Sequence, residues 1–104
     1  MQMWMAQVRK GLVEFWLMAA LGRGEKYGYE LFQQLPAQVR SSGVYAILTR
    51  LTREGYVSIR MGASPAGPSR RYLRLTSKGE ARLKRMTAYW MELQRLTEAA
   101  LRRD

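Results

Sequence analysis

The sequence predicts a mainly α-helical chain that carries one small antiparallel β-ribbon and ends in a long helix. Three observations predict this. Apolar residues recur in steps of three and four over residues 4–21, 44–51 and 83–100. Residues 56–61 and 70–75 alternate instead, with a Gly/Pro-rich stretch between them. The third helix and the ribbon that follows hold most of the excess positive charge: residues 40–74 carry seven arginines against the single acid Glu54. Helix, strand, turn and strand in that order form the output half of a winged helix-turn-helix.

The first helix is read over residues 4–21. Trp4, Val8, Leu12, Phe15, Trp16, Met18 and Leu21 fit a helix wrapped by core on more than one side, and Gly22-Arg23-Gly24 ends it. Arg9-Lys10 followed by an apolar run has a superficial likeness to a signal peptide. Glu14 interrupts that run, Trp16 is bulky and no small-residue cleavage site follows, so residues 12–21 are expected to be a core helix. The second helix is expected over residues 27–35 and closes before Pro36. The third covers residues 42–54, capped by Ser41 or Ser42 and stopped by Gly55. Val44, Ile47, Leu48 and Leu51 form its buried stripe, while Tyr45, Thr49, Arg50 and Arg53 fall mostly on the other side.

In the ribbon, Val57, Ile59 and Met61 share one face and Ser58 and Arg60 the other; Arg71, Leu73 and Leu75 alternate with Tyr72 and Arg74. Residues 62–69 contain two Gly and two Pro and are expected to project as a loop longer than a two-residue turn. Thr76 can cap the last helix, of roughly 26 residues and about 39 Å. Leu83, Met86, Trp90, Leu93, Thr97 and Ala100 follow the spacing of a coiled-coil seam. Such a rod exceeds what a small three-helix core can cover, and a second copy related by two-fold symmetry is the economical partner. Residues 1–76 are therefore expected to form the winged helix-turn-helix. Residues 77–104 form the dimerisation helix, packed with the N-terminal helix.

The 104 residues suit one domain, and 47% hydrophobic content argues for a folded one. The net charge of +10 points to a polyanionic partner. The chain has no Cys and no His, which removes disulfides, thiolate chemistry and most zinc sites. With no His to partner the acids and no phosphate-binding loop or carboxylate-rich metal motif, no enzyme is expected and no cofactor. No run approaches a membrane span, and the composition fits the cytosol.

Several of these segments resemble the PadR family of bacterial transcription regulators, specifically its short members. Arg9-Lys10-Gly11-Leu12 looks like the family's opening, and Tyr27-Gly28-Tyr29-Glu30-Leu31 is similar to its second-helix signature. Tyr45, Ile47-Leu48, Arg50-Leu51 and Glu54-Gly55-Tyr56-Val57 are similar to its recognition helix. Gly67-Pro68-Ser69-Arg70-Arg71-Tyr72-Leu73-Arg74-Leu75-Thr76, then Gly79, looks like its wing and entry to the last helix. Gly43-Val44 stand where the family usually has Thr before a Leu-Tyr pair, Ala46 where Pro is frequent, and Thr52 where an acid is usual. These departures lie in or beside the reading helix and bear on the preferred DNA sequence. The resemblance implies a dimeric DNA-binding regulator, usually a repressor that lets go when a small ligand binds, and some short members are similar to multidrug sensors.

Tyr45, Thr49, Arg50 and Arg53 are the candidates for groove contacts, since Arg reads guanine bidentately. Arg40, Ser41 and Ser42 at the helix entrance suit phosphate. Ser69, Arg70 and Arg71 lie beside the wing tip. Tyr27 can reach a phosphate through its hydroxyl or pack in the core. Trp4, Met5, Val8, Phe15, Met86, Trp90 and Leu93 fit either an ordinary dimer core or a cavity for a planar aromatic effector. The reading is a homodimeric, sequence-specific DNA-binding regulator acting on a near-palindromic double-stranded operator in the cytoplasm. A winged-helix protein-interaction module and a non-specific nucleic-acid-binding protein are the alternatives.

Overall fold

The computed structural model describes residues 1–40 and 43–103. The elements are α1 (Gln2–Gly22), β1 (Lys26–Tyr27), α2 (Gly28–Gln33), a 3-10 turn at Ala37–Val39, α3 (Val44–Arg53), β2 (Val57–Ser64), β3 (Gly67–Leu75) and α4 (Ser77–Leu101). The strands form one antiparallel sheet in the order β1-β3-β2. The mainly α winged helix-turn-helix with a long last helix is thus the observed architecture.

The core sits where the second half of α1 crosses α2, α3 and the base of the sheet. Val13, Leu17, Met18, Leu31, Val39, Val44, Leu51 and Val57 are almost wholly removed from water there. The expectation that core wraps α1 from Trp4 onward is corrected. Its first two turns are exposed as far as Val8, and Trp4 keeps 62% of its surface exposed. A helix of 21 residues simply outruns a core this small.

Other boundaries shift for local reasons. Residues 26–27 pair with Leu73 and Tyr72 of β3, so α2 starts one residue later than expected. The Glu30 carboxylate caps it by accepting the Tyr27 N–H at 3.1 Å. The N-cap of α3 is Gly43, at φ +71°, instead of a serine; Ser41 and Ser42 lie outside the described residues. At the far end Gly55, at φ +83°, lets the Tyr56 N–H turn back to the Leu51 carbonyl at 2.9 Å.

The wing is a longer ribbon than the Gly/Pro content implied. Ser64 pairs with Gly67 across a two-residue turn of Pro65 and Ala66, which corrects the projecting loop over residues 62–69. The strands tolerate Pro68 because the register shifts there. Pro68 and Ser69 together face Ala63, so the missing N–H falls in a bulge and the ladder keeps its bonds on either side. Burial fades quickly along the inward face of the ribbon: Val57 is buried, but Ile59 and Met61 are 42% and 59% exposed.

Thr76 caps α4 as expected, its hydroxyl oxygen accepting the Gly79 N–H at 3.1 Å while its hydroxyl donates to the Gly55 carbonyl at 2.6 Å. Leu83 and Met86 are half-buried among the core residues. Residues 87–103 are all exposed in the single chain, and the molecule measures 60 × 30 × 22 Å. No helix among the described residues is long and apolar enough to cross a membrane.

Candidate nucleic-acid interface

The outer face of α3 is set by helix geometry. Thr49 and Arg53 follow Tyr45 by about 40° and 80° around the axis, whereas Arg50 falls about 140° away. Tyr45 is 73% exposed and its ring stacks on Phe32 of α2, with centroids 5.9 Å apart. That contact holds the phenol upright and limits the rotamers it must give up on contact with a partner. Thr49 is exposed, its hydroxyl turned back to the Tyr45 carbonyl at 2.9 Å, and Arg53 is exposed in the last turn.

Arg50 is not part of this face. Its guanidinium pairs with Glu14 of α1 and with Glu54 at 3.3 Å. In the unbound chain these donors are occupied by two carboxylates, so reading of a guanine edge by Arg50 would require exchanging the ion pairs. Arg40 is tied down too, through Nε to the Leu35 carbonyl at 3.2 Å and Nη2 to the Gln33 carbonyl at 3.3 Å. It braces the turn leading into α3. Ser41 and Ser42 lie outside the described residues.

The middle of the wing carries an aromatic and cationic stack. Arg70 lies over the Tyr27 ring at 3.8 Å, with its Nε buried and without a hydrogen-bond partner. Tyr27 also meets the edge of Tyr72 at 6.1 Å and stacks on Tyr29 at 6.4 Å. Neither Tyr27 nor Tyr29 enters the core: Tyr27 is half-buried against the sheet and Tyr29 is 66% exposed. Arg70, opposite Gly62 in the outer half of the ribbon, is thus a packing cation, while its neighbours Ser69 and Arg71 are exposed. Sequence reasoning missed Arg60, which lies over Tyr72 at 4.7 Å and grips Glu25 with two hydrogen bonds of 2.8 and 2.5 Å. That grip holds the exposed Glu25 carboxyl below its ordinary pKa.

Behind α3 lies a second polar group that the sequence did not reveal. The Glu14 carboxylate meets Arg50 through Oε1 and Arg82 of α4 through Oε2, the latter at 2.7 Å from Nη2 and 3.1 Å from Nε. Partial burial alone would raise the Glu14 pKa; hydrogen bonds from Arg50 and then Arg82, with their charges, outweigh it and the net direction is down. A carboxyl depressed on folding contributes stability that is complete above its unfolded value of about 4.3 and is lost as pH falls through the lower folded value. Melting curves from neutral pH to about pH 3 should therefore fall less steeply for Glu14→Gln than for the unaltered chain. Parallel profiles would remove this role.

A groove of about 180 Å³ runs between α1 and α4, lined by Gly11, Leu12, Phe15, Met86, Tyr89, Trp90 and Leu93. Phe15 and Trp90 meet there with ring centroids 6.4 Å apart. The structure brings together four of the residues expected at the seam. It leaves Trp4, Met5 and Val8 on the projecting turns of α1, outside the groove lining. A groove this small falls short of the roughly 300–1,000 Å³ of ordinary small-molecule sites. One chain therefore supplies part of a pocket at most. Among the described residues no cluster of three or more His, Cys, Asp or Glu could hold a metal ion.

Comparison with known proteins places this geometry. The model of the transcriptional regulator PadR-like family matches residues 17–85. The fold superposes with a TM-score of 0.83 on a Streptococcus transcriptional regulator that is 30% identical, covering 92% of this chain and 98% of that one. It superposes with the same score on a PadR-like transcriptional regulator of Bacillus cereus, at 26% identity, covering 94% and 99%. An uncharacterized protein of Lysinibacillus sphaericus is 24% identical over 99 residues, covering 89% of this chain and 91% of that one. With the family match extending from the core of α1 into α4, the chain belongs to the PadR-like family of transcriptional regulators, DNA-binding proteins and not enzymes.

Proposed function

We propose that the protein is a sequence-specific repressor that binds a near-palindromic operator as a homodimer and releases it when a small aromatic ligand enters the α1–α4 seam. The observation that carries the reading is Tyr45: a large ring 73% exposed on α3, braced by Phe32 and flanked by Thr49 and Arg53. A tyrosine so exposed is poor packing material and good groove material. Ser69 and Arg71 of the wing would add flanking contacts, and Tyr27 with Arg70 would brace the wing between them. In this reading residues 1–76 are the DNA-binding unit and residues 77–104, with α1, the pairing unit. The protein works beside the chromosome, which we take to be in the cytoplasm.

Support for pairing comes from apolar surface left bare on the projecting rods. Trp90, Leu93 and Leu96 are 38%, 37% and 48% exposed along α4, and Trp4, Met5 and Val8 are 62%, 45% and 42% exposed along α1. Patches of this kind mark association surfaces. A second α1–α4 pair would also enlarge the Phe15–Trp90 groove toward ligand size.

Selection of bound fragments from random DNA, followed by footprinting, tests the reading. A dyad site should emerge with half-sites about 34–36 Å apart, preferred over random DNA by ~10³–10⁷. Sedimentation should give a dimer. Absence of any sequence preference, or a stable monomer, overturns the reading. Quenching of Trp emission by planar aromatic cations at micromolar concentration tests the ligand.

The wing makes a separate prediction. Arg71→Ala should weaken binding similarly for all sequences. It should also lower the slope of affinity against salt by about 0.9 for each phosphate left without its arginine, about 1.8 for a dimer. A salt titration with an unchanged slope would exclude Arg71 from the phosphate.

A further inference from the structure

Glu14 joins three elements through a single carboxylate. Its Oε1 meets Arg50 on α3 and its Oε2 meets Arg82 on α4, while Glu14 itself rides on α1. Its side chain is 16% exposed, and those of Arg50 and Arg82 are 36% and 29%. Arg82 also lies over the Tyr56 ring at 4.6 Å and donates to its hydroxyl at 3.4 Å. Lys78 reaches across to the Glu54 carbonyl at 2.7 Å. The end of α3 is therefore held to the start of α4 by several charge-assisted contacts, which are about twice as strong as neutral ones.

The clamp adjoins the apolar seam on both helices. Phe15, the next residue along α1, meets Trp90. Arg82 stands one turn before Met86, which lines the same groove. A relative slide of α1 against α4 at the seam must carry Glu14 and Arg82 with it. Because the other carboxylate oxygen holds Arg50, that slide is passed to the helix bearing Tyr45.

From this geometry we infer that Glu14 is a positioning residue for operator recognition: without touching DNA or ligand, it locks the angle of α3 to the α1–α4 pair and so sets the separation of the two reading helices. The inference rests on the dimeric DNA-binding reading above. It extends that reading by naming the element that transmits seam geometry to the DNA face.

The sign of one substitution separates positioning from plain electrostatics. Glu14→Gln removes a negative charge from each subunit. Bulk attraction to phosphate would then rise and DNA binding would tighten. Loss of the lock instead weakens binding and blurs spacing preference. The experiment measures the affinity of the full chain for the operator it selects, and for versions whose half-site spacing is changed by one and two base pairs. For Glu14→Gln, with helical content and dimer mass unchanged, we expect binding about 10-fold weaker, within the roughly 5- to 150-fold range of coupled sites. We also expect discrimination among the spacings to collapse.

Equal or tighter binding with the original spacing preference overturns the inference. Weaker binding with that preference intact overturns it too, because it shows a general loss of fold quality. Should Glu14→Gln fail to fold, Arg82→Gln, which keeps the Glu14–Arg50 pair but frees α4, takes its place in the same panel. Relaxed spacing supports the lock and unchanged spacing removes it. If the unaltered chain selects no dyad operator, the DNA reading itself falls and this inference falls with it. If it does and the variants match it, only the inference falls.

Discussion

Gly79→Ala will lower the melting temperature sharply, against the usual trend for glycine in a helix. At an open helical site that change stabilises by up to about 1 kcal/mol. Here an added Cβ would lie 2.1 Å from the Tyr56 carbonyl oxygen and 3.0 Å from its carbon. Neither atom is the end of a flexible side chain. The Tyr56 carbonyl accepts the Thr76 N–H at 3.1 Å, and Thr76 in turn caps Gly79. The first turn of α4 must therefore lift away from the Tyr56 backbone just before β2, and cap and carbonyl contact strain together. Overpacking of this kind costs about 1–3 kcal/mol, and more when backbone has to move. For a domain of this size each kcal/mol corresponds to a fall of about 4–8 °C in Tm. Calorimetry checks it, and a Gly79→Ala protein that melts at or above the parent temperature refutes the contact.

The second large effect is on binding. Tyr45→Ala should cut operator affinity by roughly 5- to 150-fold for each subunit, the ~1–3 kcal/mol of a good base contact, compounded over the two subunits of a dimer, while leaving the fold nearly as stable as before. The ring is 73% exposed and meets Phe32 on one side, so its removal empties no cavity. Affinity for random DNA should fall much less, because phosphate contacts dominate there. Tyr45→Phe then reports on the hydroxyl. An Ala variant that holds the selected operator as tightly as the parent removes Tyr45 from the groove.

The fates of Tyr45 and Arg50 show how far a linear pattern reaches. Steps of three and four placed α1, α3 and α4 because a helix repeats its environment every few residues, and Thr76 was legible because a cap acts on its own helix. Arg50 was not legible. Its partner Glu14 lies 36 residues away in the chain, and no local rule pairs them. The one available signal was an acid inside the otherwise apolar run of residues 12–21, which needs a cation when it packs. β1 escaped for a related reason: Lys26 and Tyr27 are a strand only because Leu73 and Tyr72 lie alongside. The ribbon misled through composition. Gly and Pro read as loop, but a bulge accommodates Pro68 beside a two-residue turn.

The uneven depth of the core along α1 and α4 has a consequence for motion. Each helix is anchored over part of its length, α1 by Val13, Leu17 and Leu21 and α4 by Gly79, Leu83, Met86 and the Trp90 contact with Phe15, and is exposed over the rest. Free spans of this length are marginal helices in water, and local opening there needs far less energy than global unfolding. Amide hydrogen exchange on dilute protein should therefore divide both helices into a slow segment and a fast one, with the breaks near Arg9 and Leu93. Raising the protein concentration should slow exchange only on the fast sides, so that pairing reads out as amide protection.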